Sequence, residues 1–331
     1  MTTTHHLVTG AAGFIGSAYV RQLLGPEGPP DIEVTALDAL TYAGDLANLA
    51  PLAGHPRLRF VHGDITDAAL VGELTRPGSV VVNFAAESHV DRSIAAAGAF
   101  VRTNVLGTQV LLDAALDAGV RCFLQVSTDE VYGSIEEGSW TEEDPVRPRS
   151  PYAATKASAD LLALSYAHTH GLDVRVTRCS NNYGPGQHPE KLIPRFVTLL
   201  LAGEPVPLYG DGGNVRDWLH VLDHCRAIRL VLERGAPAEV YNVGGGTQLT
   251  NAELTGLLLD ACGADWSAVR PVADRKGHDR RYCVDDGKLR RLGYRPLVPF
   301  APGLADTVDW YRRRAVRPRP TDHRPTSSLR K

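Results

Sequence analysis

The chain has 331 residues, 43% hydrophobic and 22% charged, which suits about two ordinary globular domains and excludes disorder as the default. Its 35 basic and 38 acidic side chains leave a formal charge of -3, without the basic excess that a nucleic-acid backbone requires, so the expected partner is a small molecule and not a nucleic acid. Five scattered cysteines without CxxC spacing argue against a zinc site, and no other metal is expected; they also exclude a dense disulfide framework, and no run reaches the roughly 18 apolar residues of a membrane span. With no leader pattern before the first apolar run, a cytoplasmic protein that does not bind membranes is expected.

In chain order, short β-branched runs at residues 5–9, 32–38, 58–63, 80–85, 122–127 and 174–178 alternate with segments long enough for crossover helices. This pattern predicts an α/β fold: a doubly wound parallel sheet of Rossmann type, with ligands beyond the carboxyl ends of the strands. After residue 180, repeated Pro and Gly break the sequence into short pieces, predicting a smaller α+β substrate-binding unit. The expected division is 1–180 and 181–331, with 222–240 packing back on the first unit. Residues 312–331 are rich in Arg and Pro and are expected to form a solvated or frayed tail.

Residues 7–17 read Leu-Val-Thr-Gly-Ala-Ala-Gly-Phe-Ile-Gly-Ser, which places Gly10, Gly13 and Gly16 between the first strand and a helix beginning near Phe14. Glycines there let a pyrophosphate approach the amides of a helix N-terminus, where the macrodipole favours negative charge. Asp38 closes the second strand about 20 residues later, where a carboxylate bonds an adenosine ribose and disfavours a ribose phosphate; NAD is therefore expected over NADP. Asp64 and Ile65, and Ala85, Ala86 and Ser88, follow the third and fourth strands on the same edge. Asp64 has a second reading as a helix N-cap. Phe14, Ile15, Thr41, Thr103 and Asn182 complete the cofactor-binding candidates.

Tyr152 and Lys156 stand four residues apart, one turn along a helix face. A phenol is a poor base at neutral pH, and an ammonium beside it would stabilise the phenolate, so the pair is expected to remove a hydroxyl proton. Together with Thr-Gly-Ala-Ala-Gly-Phe-Ile-Gly at 9–16 and Asn104, the pair makes the chain resemble the extended short-chain dehydrogenase/reductase family over most of its length.

Residues 127–133 read Ser-Thr-Asp-Glu-Val-Tyr-Gly, putting two adjacent carboxylates at the ligand edge. Eliminating water across two carbons needs a base for a carbon-bound proton and an acid for the departing hydroxyl, and Asp129 and Glu130 supply two carboxyls. A capped loop with solvated carboxylates is the plainer alternative. The run, with residues 85–93, 180–185, 189–194 and 277–282, is similar to the dTDP-glucose 4,6-dehydratase branch of that family.

This resemblance implies dTDP-glucose as substrate and a resident NAD. Tyr152, assisted by Thr128, takes the proton of the carbon-4 hydroxyl as hydride passes to NAD. Glu130 takes the carbon-5 proton, Asp129 protonates the hydroxyl leaving carbon 6, and the hydride returns there. The resemblance further implies that Ser88, Asn181, Lys191, Leu192, Arg216, Asn251, Arg275 and His278 hold the diphosphate and sugars, with Thr128 on the hexose and Pro207 and Tyr209 beside the base. It also implies a homodimer through the helices around 98–118 and 152–169. Lys276 stands where this branch commonly has Pro. A 4-epimerase or decarboxylase of UDP-sugars, and a non-catalytic NAD-binding regulator, are the rival readings; the adjacent carboxylates weigh against the first two and Thr128, Tyr152 and Lys156 against the last. Thymidine and uridine remain alternatives, since one methyl group is worth only about 1–3 kcal/mol.

Overall fold

The structure, a computed structural model, describes residues 3–316. Six of its strands are β1 (Thr4–Thr9), β2 (Ile32–Asp38), β3 (Leu58–His62), β4 (Val80–Asn83), β5 (Cys122–Thr128) and β6 (Val174–Cys179). They pair in parallel with Glu239–Val243 in the order Glu239–Val243, β6, β5, β4, β1, β2, β3. Strand order reverses between β1 and β4, and this switch point opens the crevice in which a doubly wound sheet binds its ligand.

Both faces of the sheet are covered, so the central strands β4 and β5 are buried at every position instead of alternating. Val8, Val34 and Val82 pack under the helix Phe14–Leu24, while Leu7, Val81 and Phe123 pack under the helices Gly107–Ala118 and Pro151–His170. Each such fully buried Val or Leu contributes about 1.5–3 kcal/mol relative to exposure.

The boundary expected at 180 is crossed by the chain more than once. The helix Val221–Arg234 buries Cys225, Ala227, Ile228 and Val231 in the first unit's core, and Glu239–Val243 extends the sheet beside β6. Leu289 and Tyr294 join the same core, so the returning segments extend beyond 222–240. The remainder forms a second core around Ile193, Phe196, Trp218, Leu254, Leu258 and Leu304. It carries a three-stranded sheet of Gln248–Thr250, Val215–His220 and Asn181–Tyr183, and a pair made by Val206–Tyr209 and Val269–Val272. Residues 312–316, expected in a frayed tail, instead continue the helix Phe300–Val316; the rest of that expected tail lies outside the described residues.

Candidate active site

An open cleft runs along the carboxyl edge of the sheet. Gly10, Gly13, Phe14, Ile15 and Gly16 line it on one side, Asp38 and Thr41 follow at the end of β2, and Asp64 and Ile65 at the end of β3. Ala85, Ala86, Ser88, Thr103, Tyr152, Lys156 and Asn182 line the remainder. Gly10 has φ of 62°, and a Cβ there would lie 2.6 Å from the Ala85 nitrogen, so the turn lies directly against the chain leaving β4. Gly13 meets only the Gly10 oxygen, at 3.2 Å, and precedes Phe14–Leu24 without a side-chain cap. The first amides of that helix are therefore available to an anion, which fits a dinucleotide pyrophosphate.

The Asp38 carboxylate organises this turn from below. Its Oδ2 accepts from the Ala12 amide and its Oδ1 from the Leu40 amide, each at 2.8 Å, while the second lone pair of each oxygen is still able to receive a ribose hydroxyl. Asp64 accepts from the Thr66 amide at 2.9 Å and hydroxyl at 3.0 Å, whereas Asp67 caps the helix Ala68–Leu74; the N-cap reading of Asp64 is thus overturned. Asn104 lies in a π-helical stretch, Val101–Leu106, and its buried amide bonds the backbone of Glu87 in both directions, at 2.9 and 3.0 Å, and the Thr155 hydroxyl at 3.0 Å. It fixes the chain at 87 against the helix that carries Tyr152.

Ser150 caps the helix Pro151–His170, its Oγ accepting from the Ala153 amide at 3.1 Å, with Pro151 in the first turn. Such a cap is worth about 1 kcal/mol and starts the helix at the sheet edge, so Tyr152 enters the cleft in the first turn and Lys156 one turn later. Both side chains are buried. The expected lowering of the phenol by Lys156 is not what this arrangement produces. Lys156 Nζ donates to the Val126 carbonyl at 2.7 Å, and burial, with the Glu130 charge, holds the Tyr152 phenol well above its ordinary range. The Thr128 hydroxyl opposes that rise. Burial also lowers the Lys156 ammonium, opposed by Asp160 one turn further on.

β5 ends in Thr128, whose Oγ1 caps the turn Asp129–Tyr132. That turn buries Asp129 and leaves Glu130 half-buried at the wall of both clefts. Asp129 is only 2% exposed, and burial together with the Glu130 and Asp217 charges raises its carboxyl well above the usual range. Glu130 is also raised by burial, but Lys191, Arg216 and Arg275 oppose the shift. The two neighbours therefore differ in the charge they face: Asp129 has mainly carboxylates beside it, which favour its protonated form, whereas three cations oppose the rise of Glu130.

A second cleft joins the first, and Glu130, Asn181, Asn182, Gln187 and Lys191 line both. It gathers Leu192, Pro207, Tyr209, Arg216, Asn251, Arg275 and His278, while Ser88 and Thr128 line the first cleft. Lys191 Nζ donates to the Ser88 carbonyl at 2.7 Å, Arg216 lies 4.3 Å over the Tyr282 ring, and Arg275 pairs with Asp91 at 2.7 Å. Three cations converging beside a tyrosine ring suit a nucleoside diphosphate. Lys276 is exposed. Glu87, Ser180 and Tyr282, from the stretches that carry the resemblance, also line these clefts, as do Gln187 and His188, to which the sequence did not point. Glu87 adjoins Ser88, and Gln187 donates to the Asn182 carbonyl at 2.8 Å.

The GDP-mannose 4,6 dehydratase family model matches residues 7–307. A dTDP-glucose 4,6-dehydratase of Streptomyces griseus is 67% identical over 311 residues, 93% of this chain and 94% of that protein. Among solved structures, DesIV, a dTDP-glucose 4,6-dehydratase of Streptomyces venezuelae with NAD and TYD bound, has a TM-score of 0.91 at 64% identity, covering 94% of this chain and 97% of that one. A UDP-glucose 4-epimerase of Thermotoga maritima, with UDP-glucose, has a TM-score of 0.85 at 33% identity, over 94% of this chain and 100% of that one. The chain belongs to the GDP-mannose 4,6 dehydratase family, within the extended short-chain dehydrogenase/reductases and beside the dTDP-glucose 4,6-dehydratases.

Proposed function

We propose that this protein is an NAD-dependent lyase that converts dTDP-glucose to dTDP-4-keto-6-deoxyglucose. The observation that carries the reading is the unequal environment of Asp129 and Glu130 beside Tyr152, because a 4-epimerase has no use for an acid and base pair directed at carbons 5 and 6. Bound along the Gly10–Gly16 turn and Asp38, NAD supplies the acceptor, and then the donor, of one hydride.

Tyr152 Oη receives the carbon-4 hydroxyl proton as its phenolate, the form that the Thr128 hydroxyl favours, and becomes the phenol. Glu130 takes the carbon-5 proton, which the adjacent ketone has acidified. Asp129 delivers its proton to the hydroxyl leaving carbon 6. Lys191, Arg216 and Arg275 hold the diphosphate, and their charge opposes the rise that burial gives the Glu130 carboxyl.

The preference for a thymidine nucleotide rests on the names of the close relatives. We further place the protein in the cytoplasm, where the free buried thiols of Cys122, Cys179, Cys225 and Cys283 stay reduced, and as a homodimer through the exposed Val101, Leu106 and Leu161. Mass analysis after incubation with dTDP-glucose tests the reaction: a product lighter by one water supports it, and one of unchanged mass favours epimerisation.

A further inference from the structure

Three wall segments of the cofactor cleft meet in one side-chain cluster that takes no part in the chemistry above. The segment after β2 contributes Tyr42, between the lining residues Thr41 and Ala43; the segment after β4 contributes Arg92, four residues past Ser88; and the substrate unit contributes Glu190, beside Lys191. The Arg92 guanidinium lies 3.9 Å from the centre of the Tyr42 ring. Its Nε donates to Glu190 Oε2 at 3.1 Å, and its Nη2 donates to Glu190 Oε1, so the pair is bidentate. His188 meets the other side of this cluster, edge-on to Tyr42 at 5.5 Å, and His89 approaches Glu190 at 3.5 Å.

The segment that presents Tyr42 is held in an uncommon shape. Leu40 has φ of 49°, in the left-handed region that non-glycine residues seldom adopt, and the Asp38 carboxylate fixes it through the Leu40 amide. A Cβ on Gly44 would lie 2.6 Å from Asp38 Oδ1, so the chain winds closely around that carboxylate. The carboxylate assigned to the ribose thus also sets the position from which Tyr42 reaches Arg92. A planar, bidentate guanidinium stacked on a ring is a geometry that Lys does not reproduce.

We propose that Tyr42, Arg92 and Glu190 form a clasp across the cofactor cleft that slows NAD release, making them positioning residues for a resident cofactor. The proposal rests on the reading of the cleft as an NAD site. Binding energy in such a clasp acts mainly on the dissociation rate, since the cluster must open before the dinucleotide leaves.

The test measures bound NAD per chain in the purified protein, and its rate of release into excess buffer by absorbance of the separated nucleotide, with no assay of turnover. Arg92→Lys, which loses the bidentate pair and the stacked plane, is expected to speed release about tenfold, and Glu190→Gln, which loses the ion pair alone, by severalfold. Tyr42→Phe, which keeps the ring, is expected to release at the unaltered rate, and Tyr42→Ala to match Arg92→Lys. A Tyr42→Ala/Arg92→Lys double variant no faster than either single one marks a shared clasp; equal release from all variants, or fully additive effects, overturns it. Thermal unfolding of each variant separates loss of the clasp from loss of fold. If the unaltered protein binds no NAD even when it is supplied, the cofactor reading itself fails.

Discussion

Lys156 Nζ donates to the carbonyl of Val126 at 2.7 Å, tying the helix that carries Tyr152 to the strand that ends in Thr128 and leads into Asp129 and Glu130. The lysine therefore anchors the two elements that bring the reacting groups together. Lys156→Met leaves that buried carbonyl without its donor and removes the ammonium. It is expected to lower turnover by roughly 10²- to 10⁴-fold and to reduce retained NAD. Turnover and NAD content equal to those of the unaltered protein would refute this role.

Asp129→Asn removes the proposed acid and leaves Tyr152 and Glu130 in place. Water loss is expected to slow by roughly 10²- to 10⁴-fold while oxidation at carbon 4 persists, so a 4-keto sugar that retains its carbon-6 hydroxyl should accumulate in quenched single turnovers. Equal loss of both partial reactions would remove Asp129 from the acid role.

The sequence made the cleft legible where chemistry and secondary structure share a short motif. Gly10, Gly13, Gly16 and Asp38 follow strand ends, and Tyr152 and Lys156 share one helix, so their neighbourhood was readable from spacing. Their charge states were not. Lys156 turns to Val126, and Asp129 is raised partly by Asp217, a residue far away in sequence that accepts from Ser180 Oγ at 2.8 Å. The strand Glu239–Val243 was missed for a related reason: it returns from the second unit, and its place beside β6 is set by long-range pairing. Arg92 lay in a quoted stretch, but nothing in its spacing announces Tyr42 or Glu190.

His224 is fully buried, and burial lowers its imidazole to about 3, with Nδ1 2.9 Å from Asn182 Oδ1. The unfolded chain thus binds a proton there between the ordinary 6.5 and about 3, while the folded chain does not. Stability should fall as pH drops through that window, with His224 contributing a slope of about 1.4 kcal/mol per pH unit. Denaturant titrations of His224→Gln should show a shallower slope than the unaltered protein; an unchanged slope would contradict this.

Leu161 is 57% exposed on the helix Pro151–His170, and Val101 and Leu106 are similarly open. If these residues bury against a second copy, Leu161→Glu should weaken the dimer roughly tenfold or more. Light scattering across a dilution series should then show monomers at concentrations where the unaltered protein is dimeric. A dimer unaffected by the substitution would place the interface elsewhere.

The central claim is that hydride leaves and returns within one bound sugar while Glu130 exchanges the carbon-5 proton with solvent. Incubation of the purified protein with dTDP-glucose in deuterated water, without added NAD, tests it most directly. The account predicts a 4-keto-6-deoxy product carrying solvent deuterium at carbon 5, formed over many turnovers, and no such product from Glu130→Gln. A product unlabelled at carbon 5, or a simple 4-epimer, would contradict it.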